Sequence, residues 1–151
     1  MHISETIKSL REEEPFEGAI GLLTSLYNET EDKTLQRTIE EFFNDLKDPS
    51  VRSEVIAEVI KPWKSNTISM LVASCWQSGL DYSDYLADIT KVFLKGDFLT
   101  AIECMTVIEE SLHSTSRERK DEIINILMES PVSHINEKAP LTLELITILE
   151  R

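Results

Sequence analysis

Apolar residues recur along this chain at intervals of three and four, and strict alternation is nowhere sustained. Leu35, Ile39, Phe42, Phe43 and Leu46 make one stripe. Val51, Val55, Val59 and Trp63 make the next, with Ile56 and Ile60 beside them. Ile68, Val72, Cys75 and Trp76 follow, then Tyr82, Leu86, Ile89 and Phe93, then Phe98, Ile102, Met105 and Ile108, and then Ile123, Ile124 and Leu127. This is the period of one helix face, so the chain is predicted to be all-α. The predicted helices cover 3–13, 15–28, 33–46, 49–62, 66–78, 82–94, 98–112, 117–129 and 141–150.

Helix punctuation supports these boundaries. Asp48 precedes Pro49, an N-cap followed by a residue whose missing N–H is harmless at the first helical position. Thr115 with Glu118 has the spacing of a capping box. Gly96 closes one helix, and Asp97 caps the next. In the stretch ASCWQSGLDYSDYL, residues 73–86, Gly79 suits a left-handed residue just past a helix end, with Leu80 packing back on Cys75. Asp81 then caps the following helix, and Trp76 joins the buried stripe. Segment 130–140, bounded by Pro131 and Pro140, is expected to be irregular.

The predicted helices are similar in length and joined by short turns. Starts of alternate helices fall about 30–35 residues apart, at 33, 66 and 98 and at 49, 82 and 117. Such helical-hairpin repetition is the signature of an α-solenoid. The expectation is one domain over residues 1–151, a right-handed α-solenoid of about four hairpins plus a C-terminal helix. Charge fits that picture. Residues 1–48 hold 12 acids and 5 bases, 49–96 hold 5 and 5, and 97–151 hold 11 and 5. Residues 65–80 carry no charge at all, as an inner helix packed on several sides would.

Asp45–Trp63, DLKDPSVRSEVIAEVIKPW, resembles the second helix of a HEAT repeat: Asp-Pro, then Val51-Arg52, then an apolar helix. Leu94–Glu110 echoes it, though no arginine follows Leu99. The likeness covers Asp48–Ala57 at motif level and residues 33–129 as a pattern. The chain thus resembles the small bacterial HEAT-like (armadillo-type) α-helical repeat proteins. That resemblance implies a binding surface and no reaction.

A net charge of −13 repels nucleic acid and anionic membranes, because phosphate binding needs Lys/Arg clusters that release counterions. The same charge suits a basic or mixed-charge protein partner. The N-terminus has no apolar signal region, and no run reaches the roughly 18–20 apolar residues of a membrane span. Cys75 and Cys104 therefore read as reduced, buried thiols in a cytoplasmic protein. His2, His113 and His134 lie far apart, and no metal-ligand, phosphate-loop or nucleophile motif occurs, so neither metal nor cofactor is expected.

The favoured reading is a non-catalytic protein–protein interaction module, a small acidic scaffold or adaptor. One helix of each hairpin would line its surface, with Arg52, Glu58, Lys61, Asp84, Tyr85, Asp88 and Lys91 as partner contacts. The alternative is a small-ligand-binding protein or enzyme with a pocket between helices near Tyr82 and Tyr85. A third is a bundle that self-associates through the helix at Leu141–Leu149.

Overall fold

The computed structural model describes residues 18–134 and 137–151. Among these residues it is all helical. The helices are α1 (Ala19–Glu29), α2 (Lys33–Asn44), α3 (Arg52–Val59), α4 (Ser65–Gln77), α5 (Leu86–Lys95), α6 (Phe98–Glu110), α7 (Arg117–Glu129) and α8 (Lys138–Leu149). Short 3-10 turns at Pro49–Val51, Ser83–Tyr85, Leu112–Ser114 and Pro131–His134 link some of them. The predicted helix at 3–13, the start of 15–28 and His2 lie outside the described residues. The chain divides into two compact units, Met1–Leu80 and Asp81–Arg151.

In the first unit α2 shows the predicted logic most plainly. Leu35, Ile39, Phe42, Phe43 and Leu46 are all buried. Asp32 caps the helix, accepting from the amides of Thr34 and Leu35 at 2.9 and 3.3 Å. α1 packs on α2 and α3 on α4, and alternate helices also pack, α1 on α3 and α2 on α4. Polar ties fix the register. The Tyr27 hydroxyl donates to Glu40 Oε2 at 3.0 Å, joining α1 to α2. Asn28 Oδ1 accepts from the Lys64 amide at 2.9 Å and the Thr67 hydroxyl at 3.0 Å, so α1 caps the start of α4. Lys47 Nζ donates to the Ser78 carbonyl at 2.6 Å, at the far end of α4. The uncharged α4 packs on α1, α2 and α3, which accounts for its lack of a charged face. Gly79 follows it with φ +80°, the left-handed conformation anticipated for it.

The second unit repeats the scheme. α5 packs on α6 and α7, and α8 packs on α6 and α7. Tyr82, Leu86, Ile89 and Phe93 are buried as predicted, and so are Ile123 and Leu127. Full burial of a Leu, Ile or Phe contributes roughly 1.5–3 kcal/mol. The exposed pair Arg117–Asp121, at 3.0 Å, contributes about 0–1 kcal/mol, so the apolar stripes hold this unit together.

Several boundaries differ from expectation. Segment 49–62 begins as a 3-10 turn and leaves the α-helix at Val59, so Lys61 lies beyond it. Helix 82–94 likewise starts as a 3-10 turn, for which Asp81 accepts the Ser83 amide at 2.8 Å. Ser116, not Thr115, caps α7, accepting the Arg119 amide at 3.1 Å, while the Thr115 hydroxyl turns back to the Ser111 carbonyl. In segment 130–140, of which residues 135–136 lie outside the described residues, both flanks are more regular than predicted. The segment holds a 3-10 turn in which the Ser133 hydroxyl donates to the Leu127 carbonyl, and α8 starts at Lys138. Pro140 then sits in the first helical turn, where it blocks no hydrogen bond. Trp76 leaves the predicted core, with 36% of its surface exposed.

Candidate functional site

The partner contacts expected from the sequence fall into both units and are not alike. In the first, Arg52 is half-buried and its Nε donates to the Pro49 carbonyl at 2.9 Å, closing the turn that starts α3. Glu58 is no surface contact. It is buried, its Oε2 accepts from Lys61 Nζ at 2.7 Å, and its Oε1 is enclosed without a partner. It turns toward α1, where a Cβ added at Gly21 would lie 3.5 Å from Oε2. The exposed ammonium of Lys61 reaches inward to it. The helical period put Glu58 on a polar face, but that face packs toward α1 and encloses the carboxylate.

In the second unit Asp84 and Lys91 are exposed, and Asp88 and Tyr85 half-exposed, along the start and outer side of α5. Tyr82 is buried, and its ring lies 6.0 Å from that of Tyr85, tilted by 57°. Each ring thus packs on the other, within the range of favourable aromatic pairs. Asp81 and this ring pair build the start of α5 in the second unit, while Gly79 follows the end of α4 in the first.

Lys138, which belongs to no motif or expected contact, organises the other side of the unit. As the first residue of α8 it is buried and donates from Nζ to the Gly96 carbonyl at 2.6 Å and the Leu94 carbonyl at 3.3 Å. The same ammonium stands 5.5 Å from the Phe93 ring centre. It therefore closes the C-terminus of α5, where partial negative charge accumulates. Burial pushes its pKa below the ordinary lysine value, against the pull of Cys104, Asp97 and Glu137. Asp97 accepts the Thr100 amide at 2.9 Å, which holds its carboxyl below the usual range, and Lys138 acts in the same direction. A side chain on Gly96 would come within 2.8 Å of Thr100 Cγ2, so this turn needs glycine.

This joint sets the first turns of α6 and α8 side by side. Thr100, Ala101, Cys104, Met105, Val107 and Ile108 of α6 face inward, as do Leu141, Leu145, Ile148 and Leu149 of α8. The predicted stripe of Phe98, Ile102, Met105 and Ile108 is thus only half right. Phe98 is 48% exposed, Leu99 69% and Leu143 68%, and Ile102 is half-exposed beside them. Further along each helix the outer positions turn acidic, with Glu103, Glu109 and Glu110 on α6 and Glu144 and Glu150 on α8. Exposed apolar residues thus stand on two helices that pack against each other, each followed along its helix by carboxylates.

Cys75 and Cys104 are buried thiols outside any disulfide, as expected. Among the described residues no helix is long and apolar enough to cross a membrane. Nor do His, Cys, Asp and Glu side chains gather there into a group of three or more able to hold a metal ion. No protein-family model, curated protein or solved structure matches the chain. The HEAT-like resemblance therefore rests on the motif at Asp48–Ala57 and the helix pattern alone.

Proposed function

We propose that the chain is a non-catalytic protein-interaction module, a small HEAT-like α-solenoid that works as a scaffold or adaptor without metal or cofactor. The observation carrying this reading is the exposed apolar patch of Phe98, Leu99 and Leu143 on α6 and α8. Single exposed apolar residues are ordinary, but a cluster on adjoining helices rimmed by charge is characteristic of an interface. The packing of alternate helices within each unit supports the solenoid, because stacked hairpins leave whole helix faces to present. Arg52 and Lys61 in one unit, and Asp84, Tyr85, Asp88 and Lys91 in the other, are the proposed polar contacts. The partner is a protein, basic or of mixed charge, and not nucleic acid.

The test is affinity capture from the cells that make the protein, comparing wild type with the L99D/L143D double variant. Loss in the variant of the species retained by wild type supports the reading. Identical capture by both removes this face from it.

A further inference from the structure

We infer that the α6–α8 face receives a cationic amphipathic helix of a partner protein, with its apolar residues on Phe98, Leu99 and Leu143 and its Lys or Arg side chains over the acids beyond them. The inference rests on the interaction-module reading and adds the chemistry of the partner. Its first ground is the layout of the face. Phe98, Leu99, Ile102, Pro140 and Leu143 all lie within the first two turns of their helices, about 9 Å along each axis at 1.5 Å per residue. Packed helices run about 8–10 Å apart, which leaves a shallow apolar surface at one end where a third helix can lie.

The second ground is charge. Across α6 and α8 the sole cation is Lys138, and it is buried against the Gly96 and Leu94 carbonyls. The exposed charges of the two helices are all carboxylates, with Arg151 following just after α8. Glu109 and Glu110 stand in the last turn of α6, where the helix dipole is itself negative and acids are disfavoured. No basic residue occupies the last turn of either helix. Acids placed against the dipole do nothing for the isolated fold. They make a negative field that a cationic side chain would relieve.

Charge also decides among occupants. A second copy seated face to face would bring Glu109, Glu110 and Glu144 toward their own counterparts, between chains of charge −13 each. An anionic bilayer meets the same repulsion. A helix with leucines toward the seat and lysines at the flanks of that face and beyond its apolar end matches both halves of the surface, and docking by an amphipathic helix uses apolar anchors at i, i+3/i+4 and i+7.

The experiment titrates the full chain against two synthetic helices of roughly 18 residues, one Leu/Lys and one Leu/Glu, read by fluorescence anisotropy. The Leu/Lys helix is expected to bind. L99D/L143D should weaken it at least tenfold, as should E110K/E144K, and so should raising salt from about 50 to about 500 mM. The charge-reversed variant alters only exposed positions, so it keeps the test decisive should the apolar double variant fail to fold. Equal binding of both helices would overturn the cationic partner while leaving the interaction face standing. Undiminished binding of Leu/Lys to L99D/L143D would overturn the seat, and so would failure of both helices to bind. A wild-type dimer in sedimentation that L143D dissociates would assign the face to a second copy instead.

Discussion

Replacing Lys138 with methionine keeps a long, unbranched stem and removes the ammonium. Three interactions go with it. The bond to the Gly96 carbonyl, short at 2.6 Å and made by a charged donor, is worth about 1.5–3 kcal/mol. The 3.3 Å contact to the Leu94 carbonyl is long and adds little. The ammonium 5.5 Å from the Phe93 ring centre adds about 0.5–2 kcal/mol. Against them stands the desolvation of the ammonium, which the depressed pKa makes visible. K138M should therefore be less stable than wild type by about 2 kcal/mol near pH 7, or roughly 4–8 °C in Tm for a chain of this size.

The pH dependence carries a sign. A lysine whose folded pKa lies below its unfolded value binds fewer protons folded than unfolded, so stability rises as pH climbs through the folded pKa toward about 10.5. The neutral amine still donates to Gly96. The gap between wild type and K138M should thus widen as pH rises toward the ordinary lysine value of 10.5. Tyr27, whose hydroxyl burial and Glu40 hold above the ordinary tyrosine pKa, loses stabilising effect in alkali, but equally in both proteins. Urea melts of the pair at several pH values measure the gap. A variant as stable as wild type at pH 7 would mean that desolvation outweighs the bonds, and a gap that narrows toward pH 10 would refute the sign.

Three other outcomes follow from the same structure. Trp76→Ala should cost about 1–2 kcal/mol, short of the roughly 3–5 kcal/mol of a fully buried aromatic, which Phe93→Ala should show in the same urea melts. Gly21→Ala should stabilise by about 0.5–1 kcal/mol, because Gly21 lies inside α1 and the new methyl meets Glu58 Oε2 at an ordinary 3.5 Å; a lower Tm would show that the buried carboxylate tolerates no neighbour. Cys75 and Cys104 should react with a thiol reagent far more slowly in native than in denatured protein, and two fast native thiols would contradict their burial.

What could be read in the sequence was whatever one helix decides by itself. α2 mixes charge and apolar residues so that only one face can be buried, and its whole predicted stripe is inside. Asp48, Gly79 and Asp97 likewise act on backbone groups within three residues of themselves. Interactions across distant parts of the chain left no local trace. Lys138 stands more than forty positions from the carbonyls it binds, and at the sequence level it was one lysine among several. Glu58 is buried facing Gly21, far away on α1, a neighbour that no local pattern reveals.

The misassigned face of α6 was hidden for a different reason. FLTAIECMTVIEE is apolar nearly all round, so two overlapping stripes fit it equally, and packing by α5 and α8 chooses between them. The chosen stripe takes in Ala101, Cys104 and Ile108 and leaves Phe98, Leu99 and Ile102 outward. A helix with more apolar residues than its own burial can use carries a surplus, and in an acidic chain that surplus opposes solubility. α8 repeats this with Leu143 at a neighbouring position, whereas α2 has no such excess. The surplus is therefore a signal that periodicity blurs: where the stripe is ambiguous, the residues left over mark the surface on which the proposed partner is to be tested.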